Sequence, residues 1–239
     1  IEVYFQPVIR ISDGAVIGAE ALARIRAESG DLLLPDQFID VAEDTGLIAD
    51  LGSKVLGIAL NRLGKWNKTS KSPLNMAVNV SARQLSDPAF PEAVRSALQT
   101  NDLDSSLVAL EFTESALIAA NPVTEKVLEE LTAIGVQIGL DDFGTGFSSL
   151  AYLKRFPINF LKIDRSFMTG LGTNDDDTAI VNGTIALAHS LDLEVVAEGV
   201  ETETQLSHLN KLKCNFAQGF HFSEPVSDAE FDRFVNRTF

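Results

Sequence analysis

Cysteine is nearly absent from these 239 residues. Cys214 is the only one, so no intrachain disulfide can form. Such usage favours a reducing compartment, and a cytoplasm is the expectation. Histidine is scarce too: His189, His208 and His221 show no paired ligand spacing, which argues against zinc. Basic residues are outnumbered, with 19 Lys plus Arg against 34 Asp plus Glu and a formal net charge of −15. A chain so short of positive charge lacks the footprint needed for nucleic-acid polymers or anionic membranes. A small anionic ligand is still admissible if metals or a few cations neutralise it locally. No apolar run approaches the ~20 residues that span a bilayer, and no signal peptide is visible, so this domain is expected to make no membrane contact. The first residue is Ile, not Met. The sequence is therefore expected to be a fragment or a processed chain.

What is present is a regular alternation. Hydrophobic residues make up 45% of the chain, enough for a sizeable core, and no Pro/Gly/Ser linker divides it. Residues 1–239 thus read as one domain. Short apolar runs predict strands at Val3–Ile11, Ala15–Ala23, Leu74–Val80, Leu107–Phe112, Val136–Leu140, Phe160–Ile163, Glu194–Ala197 and Phe216–Phe220. Helical spacing fills most gaps: Pro35 to about Ala49, Lys54–Trp66, Val123–Ile134 with Gly135 as its stop, Asp177–Ser190 and Glu203–Lys211. Strands with helical crossovers imply an α/β barrel. The first connection breaks the rule. Ser12-Asp13-Gly14 is too short for a parallel crossover and suits a hairpin. The expected fold is a modified TIM-type (β/α)8 barrel with its first strand antiparallel, which would bring Gln6 close to Glu20 and Ala21.

Polar residues recur where these apolar runs end: Glu20, Asn79, Glu111, Asp141 with Asp142, Lys162, Glu198 and Gln218. In such barrels chemistry gathers at the C-terminal ends of the parallel strands. One acid there could simply cap a helix. Seven strands ending this way call for a shared partner, because an unpaired buried charge is costly. Hard oxygen donors without Cys or His suit Mg²⁺ or Mn²⁺. Lys162 is the one cation of the ring, either a structural ion pair or a group that orients water or offsets phosphate charge. Neighbouring strand residues face opposite ways, so Asp141 and Asp142 can share a site only where the strand is ending. A carboxylate there can bridge two metals ~3.5–4 Å apart. The segment 143–149 that follows has two glycines and reads either as a mobile rim element or as a plain connector.

Glu20-Ala21-Leu22-Ala23-Arg24 resembles the signature of the EAL family of cyclic di-GMP phosphodiesterases. The resemblance extends over the whole chain through Phe5-Gln6-Pro7-Val8, Asn79-Val80-Ser81, Leu110-Glu111-Phe112-Thr113-Glu114, Asp141-Asp142-Phe143-Gly144-Thr145-Gly146, Leu161-Lys162-Ile163-Asp164, Ala197-Glu198-Gly199-Val200-Glu201 and Gln218-Gly219-Phe220, in order. It implies Glu20, Asn79, Glu111 and Asp141 as metal ligands and Asp142 as completing a second metal site. It implies that Lys162 and Glu198 hold the attacking water, with Glu198 the candidate base, and that Gln218 supports that water or the metals. Arg24 would contact a substrate phosphate, Gln6 would sit by the nucleotide, and Glu114 would brace the 142–149 loop. Ile25 and Ala27-Glu28 depart from a common Trp and His-Pro, Phe147 from a frequent Tyr, Asn159 from Asp and Lys213 from Gly.

The activity so implied is hydrolysis of cyclic di-GMP to linear 5′-phosphoguanylyl-guanosine with two Mg²⁺ or Mn²⁺. A homodimer, fused to sensory or cyclase-like domains, is implied as well. A receptor that binds cyclic di-GMP without cutting it is the competing expectation, and the intact ligand set speaks against it. A different Mg²⁺-dependent barrel enzyme would explain the acids but not the ordered motifs.

Overall fold

The computed structural model describes residues 1–118, 120–144, 153 and 155–239. Its strands are β1 Glu2–Arg10, β2 Val16–Arg26, β3 Leu32–Leu33, β4 Asn75–Asn79, β5 Val108–Thr113, β6 Gln137–Phe143, β7 Phe160–Ile163, β8 Glu194–Ala197 and β9 Phe216–Ala217. They lie in the order β1-β9-β8-β7-β6-β5-β4-β2-β3, and a further β1–β2 pairing closes eight of them into a barrel. The short β3 hangs on the outer end of β2. All neighbours from β2 through β4 to β9 are parallel, whereas β1 is antiparallel to both β2 and β9.

The reversed strand follows from the turn. Gly14 takes φ 70°, a left-handed angle that glycine adopts without a Cβ penalty. Arg10 receives a hydrogen bond from Gly14 N at 2.9 Å on its carbonyl, and Asp13 Oδ1 accepts from Ala15 N at 3.1 Å. The resulting register sets Gln6 opposite Glu20 and Phe5 opposite Ala21. Directly opposed residues share a face of the sheet, so the hairpin alone delivers Gln6 to the Glu20 side of the barrel wall.

Helices coat the outside. Ile48–Asn67 buries Leu51, Val55, Ala59 and Leu63, spaced one turn apart, together with Leu56 and Leu60. Trp66 near its end meets the Phe5 ring edge-on at 4.8 Å, tying the helix to β1. The helix expected from Pro35 to Ala49 is broken in two, with a 3-10 turn at Pro35–Gln37 and a helix at Ile39–Thr45. Gly46 at φ 79° caps that helix, and the next one starts at Ile48, absorbing the helix expected at Lys54–Trp66. Pro122–Ile134 runs from an Asn121 side-chain cap to Gly135 at φ 96°, one residue longer than the expected Val123–Ile134 and with the expected glycine stop. Asp175–Ser190 and Glu203–Lys211 complete the larger crossovers. No described helix is long and apolar enough to cross a membrane.

Candidate active site

The staggered register of the barrel brings side chains from different strands to one level. Lys162, third residue of β7, is 1% exposed and sits at the centre. Its Nζ lies 2.6 Å from Glu198 Oε1, 2.8 Å from Glu111 Oε2, 3.3 Å from Glu20 Oε2 and 3.4 Å from Asp141 Oδ2. Four strands therefore converge on one ammonium. Glu20 is held from other sides as well: Asn79 Nδ2 donates to its Oε1 at 2.6 Å, and Gln218 Nε2 donates to its Oε2 at 2.8 Å. The same Gln218 amide donates to Gln6 Oε1 at 2.8 Å, and Gln6 Nε2 donates to the Ser223 carbonyl at 3.0 Å. Rim residues beyond the strand ends stay in register through backbone bonds. Glu198 N donates to Ile163 O at 3.1 Å, and Gln218 N to Ala197 O at 2.9 Å.

Two geometric expectations need correction. Glu20 does not close its strand: β2 continues to Arg26, supported by β1 on one side and β3 on the other. Nor does β6 end at Leu140. It continues to Phe143, and Asp141 and Asp142 occupy a bulge in which Leu140 pairs with Leu161 but Phe143 with Ile163. Asp142 takes φ 56°, a left-handed angle that Asp tolerates better than most side chains. The extra residue and the turned backbone let two adjacent acids border one cavity, together with Asn79 and Glu111.

The electrostatics are lopsided. Burial pushes Glu111 well above the usual carboxylate range, and burial also lifts Glu198, to about 8, against the pull of Lys162. For Glu20 burial is outweighed by the Lys162 charge and the amide donors of Gln218 and Asn79, so its carboxyl is held low. Asp142 is raised by burial and by Asp141. Lys162, despite burial, is held well above an ordinary lysine by Glu111, Glu198, Glu20 and Asp141. Four buried or half-buried acids on one lysine leave negative charge in excess, and all the donors are oxygens. That chemistry fits a hard divalent cation. Among the described residues, no three acids are already arranged around a separate metal-sized position; they close on Lys162 instead.

The remaining predicted residues lie around this cluster. Arg24 is 7% exposed, donates to the Ala23 carbonyl at 2.8 Å and stands 5.6 Å over the Tyr4 ring. Glu114 is buried at the start of the helix Glu114–Ile118. The loop it is expected to brace, with Phe147, lies largely outside the described residues. Gln218 Oε1 is buried with no hydrogen-bond partner among the described residues, and Gln218 borders a cavity of about 100 Å³ in the bore below the cluster. A buried amide oxygen in that position calls for a donor such as water. The Ser223 carbonyl escapes a reading of the sequence because its contact with Gln6 is non-local, and Tyr4, on the same hairpin as Arg24, escapes it because an aromatic in a strand reads as ordinary packing. The Gln6–Glu20 pairing carries a local signal, the short hairpin.

The fold and site together define an α/β barrel with a reversed first strand and a lysine-centred, oxygen-rich rim. The chain belongs to the EAL domain family, whose model matches residues 1–225. It is 43% identical over 223 residues to the bifunctional diguanylate cyclase/cyclic di-GMP phosphodiesterase MucR of Pseudomonas aeruginosa, covering 93% of this chain and 33% of that protein. It is 40% identical over 235 residues to the cyclic di-GMP phosphodiesterase NbdA of the same organism, covering 98% of this chain and 30% of NbdA. The chain thus spans about a third of the length of these curated relatives. Among solved structures, the PaMucR phosphodiesterase in complex with c-di-GMP superposes with a TM-score of 0.91 at 42% identity, covering 96% of this chain and 93% of that one. The EAL enzyme Bd1971 with cAMP and cyclic di-GMP bound gives 0.93 at 33% identity, covering 98% and 64%.

Proposed function

We propose that this domain hydrolyses cyclic di-GMP to linear 5′-phosphoguanylyl-guanosine. The observation that carries the reading is the convergence of Glu20, Glu111, Asp141 and Glu198 on Lys162, in a chain whose relatives include named cyclic di-GMP phosphodiesterases. Glu20, Asn79, Glu111 and Asp141 would hold Mg²⁺ or Mn²⁺, with Asp142 completing a second position. Bound there, the ions would lower the pKa of a water and neutralise phosphoryl oxygens. Lys162 and Glu198, in direct contact at 2.6 Å, would both face the attacking water and orient it. Burial lifts Glu198 to about 8 in the metal-free chain, and cations at the neighbouring acids would favour its carboxylate form and so its action as the base. The water oxygen bonds to phosphorus, the bond from phosphorus to the 3′ oxygen breaks, and that oxygen leaves with a proton. Arg24 faces a substrate phosphate, Gln6 lies by the nucleotide, and Gln218 keeps both Glu20 and Gln6 in place. Residues 1–239 act as one domain of a larger cytoplasmic signalling protein and work as a homodimer, with Glu114 linking the site to the 142–149 loop.

Glu20→Ala tests the assignment. It removes an acid that three other side chains hold, and cleavage in Mg²⁺ or Mn²⁺ is expected to fall to background. Full activity in that variant overturns the assignment. Wild-type protein that binds cyclic di-GMP in the same metals without cutting it would make the domain a receptor.

A further inference from the structure

The cavity bordered by Asn79, Glu111, Asp141 and Asp142 extends well beyond them. It measures about 580 Å³ and continues along β2 and beneath the helices Ile39–Thr45 and Ile48–Asn67. There its lining is largely apolar, with Leu22 and Ile39 half-buried and Leu51 and Val55 buried, and Glu43, Ser81 and Gln84 supply its polar groups. None of these side chains has a part in the chemistry above. At the edge of the apolar stretch stands Asp36, in the 3-10 turn Pro35–Gln37. The turn is fixed by Gln37, whose Oε1 accepts from Leu34 N at 2.8 Å. The Asp36 carboxylate itself has no hydrogen bond or ion pair among the described residues. It lies close enough to the Arg24 guanidinium for the two charges to interact.

An apolar slot with two carboxylates at its margin, Asp36 on the 3-10 turn beside Arg24 and Glu43 on the helix Ile39–Thr45, fits a flat heterocycle that presents adjacent N–H donors. Guanine does so along its Watson–Crick edge, with N1–H and the exocyclic N2 amine. Adenine places an acceptor at N1, which would face the carboxylate with like polarity. We propose that Asp36 reads the donor edge of one guanine of the cyclic dinucleotide while the base lies on Leu22, Ile39, Leu51 and Val55. The inference rests on the proposed substrate, and it assigns base selectivity to a residue remote from the acid cluster.

The test compares wild type, Asp36→Ala, Asp36→Asn and a charge control, Asp40→Ala, as full chains in Mg²⁺ or Mn²⁺. Asp36 and Asp40 are both exposed, so the variants keep the fold. Cyclic di-GMP and cyclic di-AMP are the probes. Loss of a charge-assisted contact raises KM for cyclic di-GMP about tenfold in Asp36→Ala, with kcat little changed. Preference over cyclic di-AMP falls by the same factor, Asp36→Asn is affected less because its amide keeps one acceptor, and Asp40→Ala matches wild type. Wild type that cuts cyclic di-GMP while Asp36→Ala keeps its KM and preference overturns this inference alone. Wild type that neither binds nor cuts cyclic di-GMP overturns the proposed function and this inference with it.

Discussion

Lys162 is the residue on which the site turns. A lone buried ammonium is expensive, and so is each carboxylate around it; together they are tolerable because every one finds an opposite charge within 3.4 Å. Replacing it with Met, which fills a similar volume, leaves the acids uncompensated. Lys162→Met is expected to cost about 3–5 kcal/mol. The sign of its pH dependence follows from Glu111, whose carboxyl burial already raises above its unfolded value. A group raised in the folded state binds more protons there than in the unfolded chain. Its contribution is fully present below the unfolded pKa and is lost as pH rises towards the folded one. The deficit of Lys162→Met in metal-free buffer should therefore widen between acid and neutral pH and narrow when Mg²⁺ is added. Urea melts at several pH values check this, and a deficit that shrinks as pH rises would contradict the charge balance. At this scale the sequence was informative, because a lysine between Leu161 and Ile163 in an apolar strand announces a buried partner. It could not announce that Asn79 and Gln218 both serve Glu20, since those contacts join residues far apart in the chain.

Among the elements, backbone angles account for most of what the sequence hid. Two acids in a row look alike whether a strand stops or bulges, so the bulge at Asp141-Asp142 could not be read from them. Gly46 could have been read as a stop, yet helical spacing of apolar residues continues across it. Lys213 illustrates the same physics on the surface. It follows the helix Glu203–Lys211 at φ 59°, a left-handed angle that glycine adopts without a Cβ penalty. A left-handed angle costs an ordinary residue about 1–2 kcal/mol, part of which glycine returns through its greater unfolded entropy. Lys213→Gly should stabilise the fold by roughly 0.5–1 kcal/mol, raising Tm by about 1–4 °C. A lower Tm in thermal melts would mean that the lysine side chain contributes more than its backbone loses.

For the whole molecule, the reversed first strand and the net charge of −15 belong to one account. The hairpin pairs Gln6 with Glu20 and lets β1 close the barrel, so an acidic rim forms around a single lysine. The barrel class was legible in the alternation of strands and helices, and its reversed first strand in the three residues 12–14. A chain this acidic can take a dianionic dinucleotide only if cations stand at the point of contact. Chelation should therefore abolish the reaction without unfolding the protein. The most direct measurement incubates the domain with cyclic di-GMP and Mg²⁺ or Mn²⁺, with and without chelator, and resolves the products by chromatography. The account predicts linear 5′-phosphoguanylyl-guanosine in the presence of metal and intact substrate with chelator. Undiminished cleavage in chelator, or no cleavage in either metal, would contradict it.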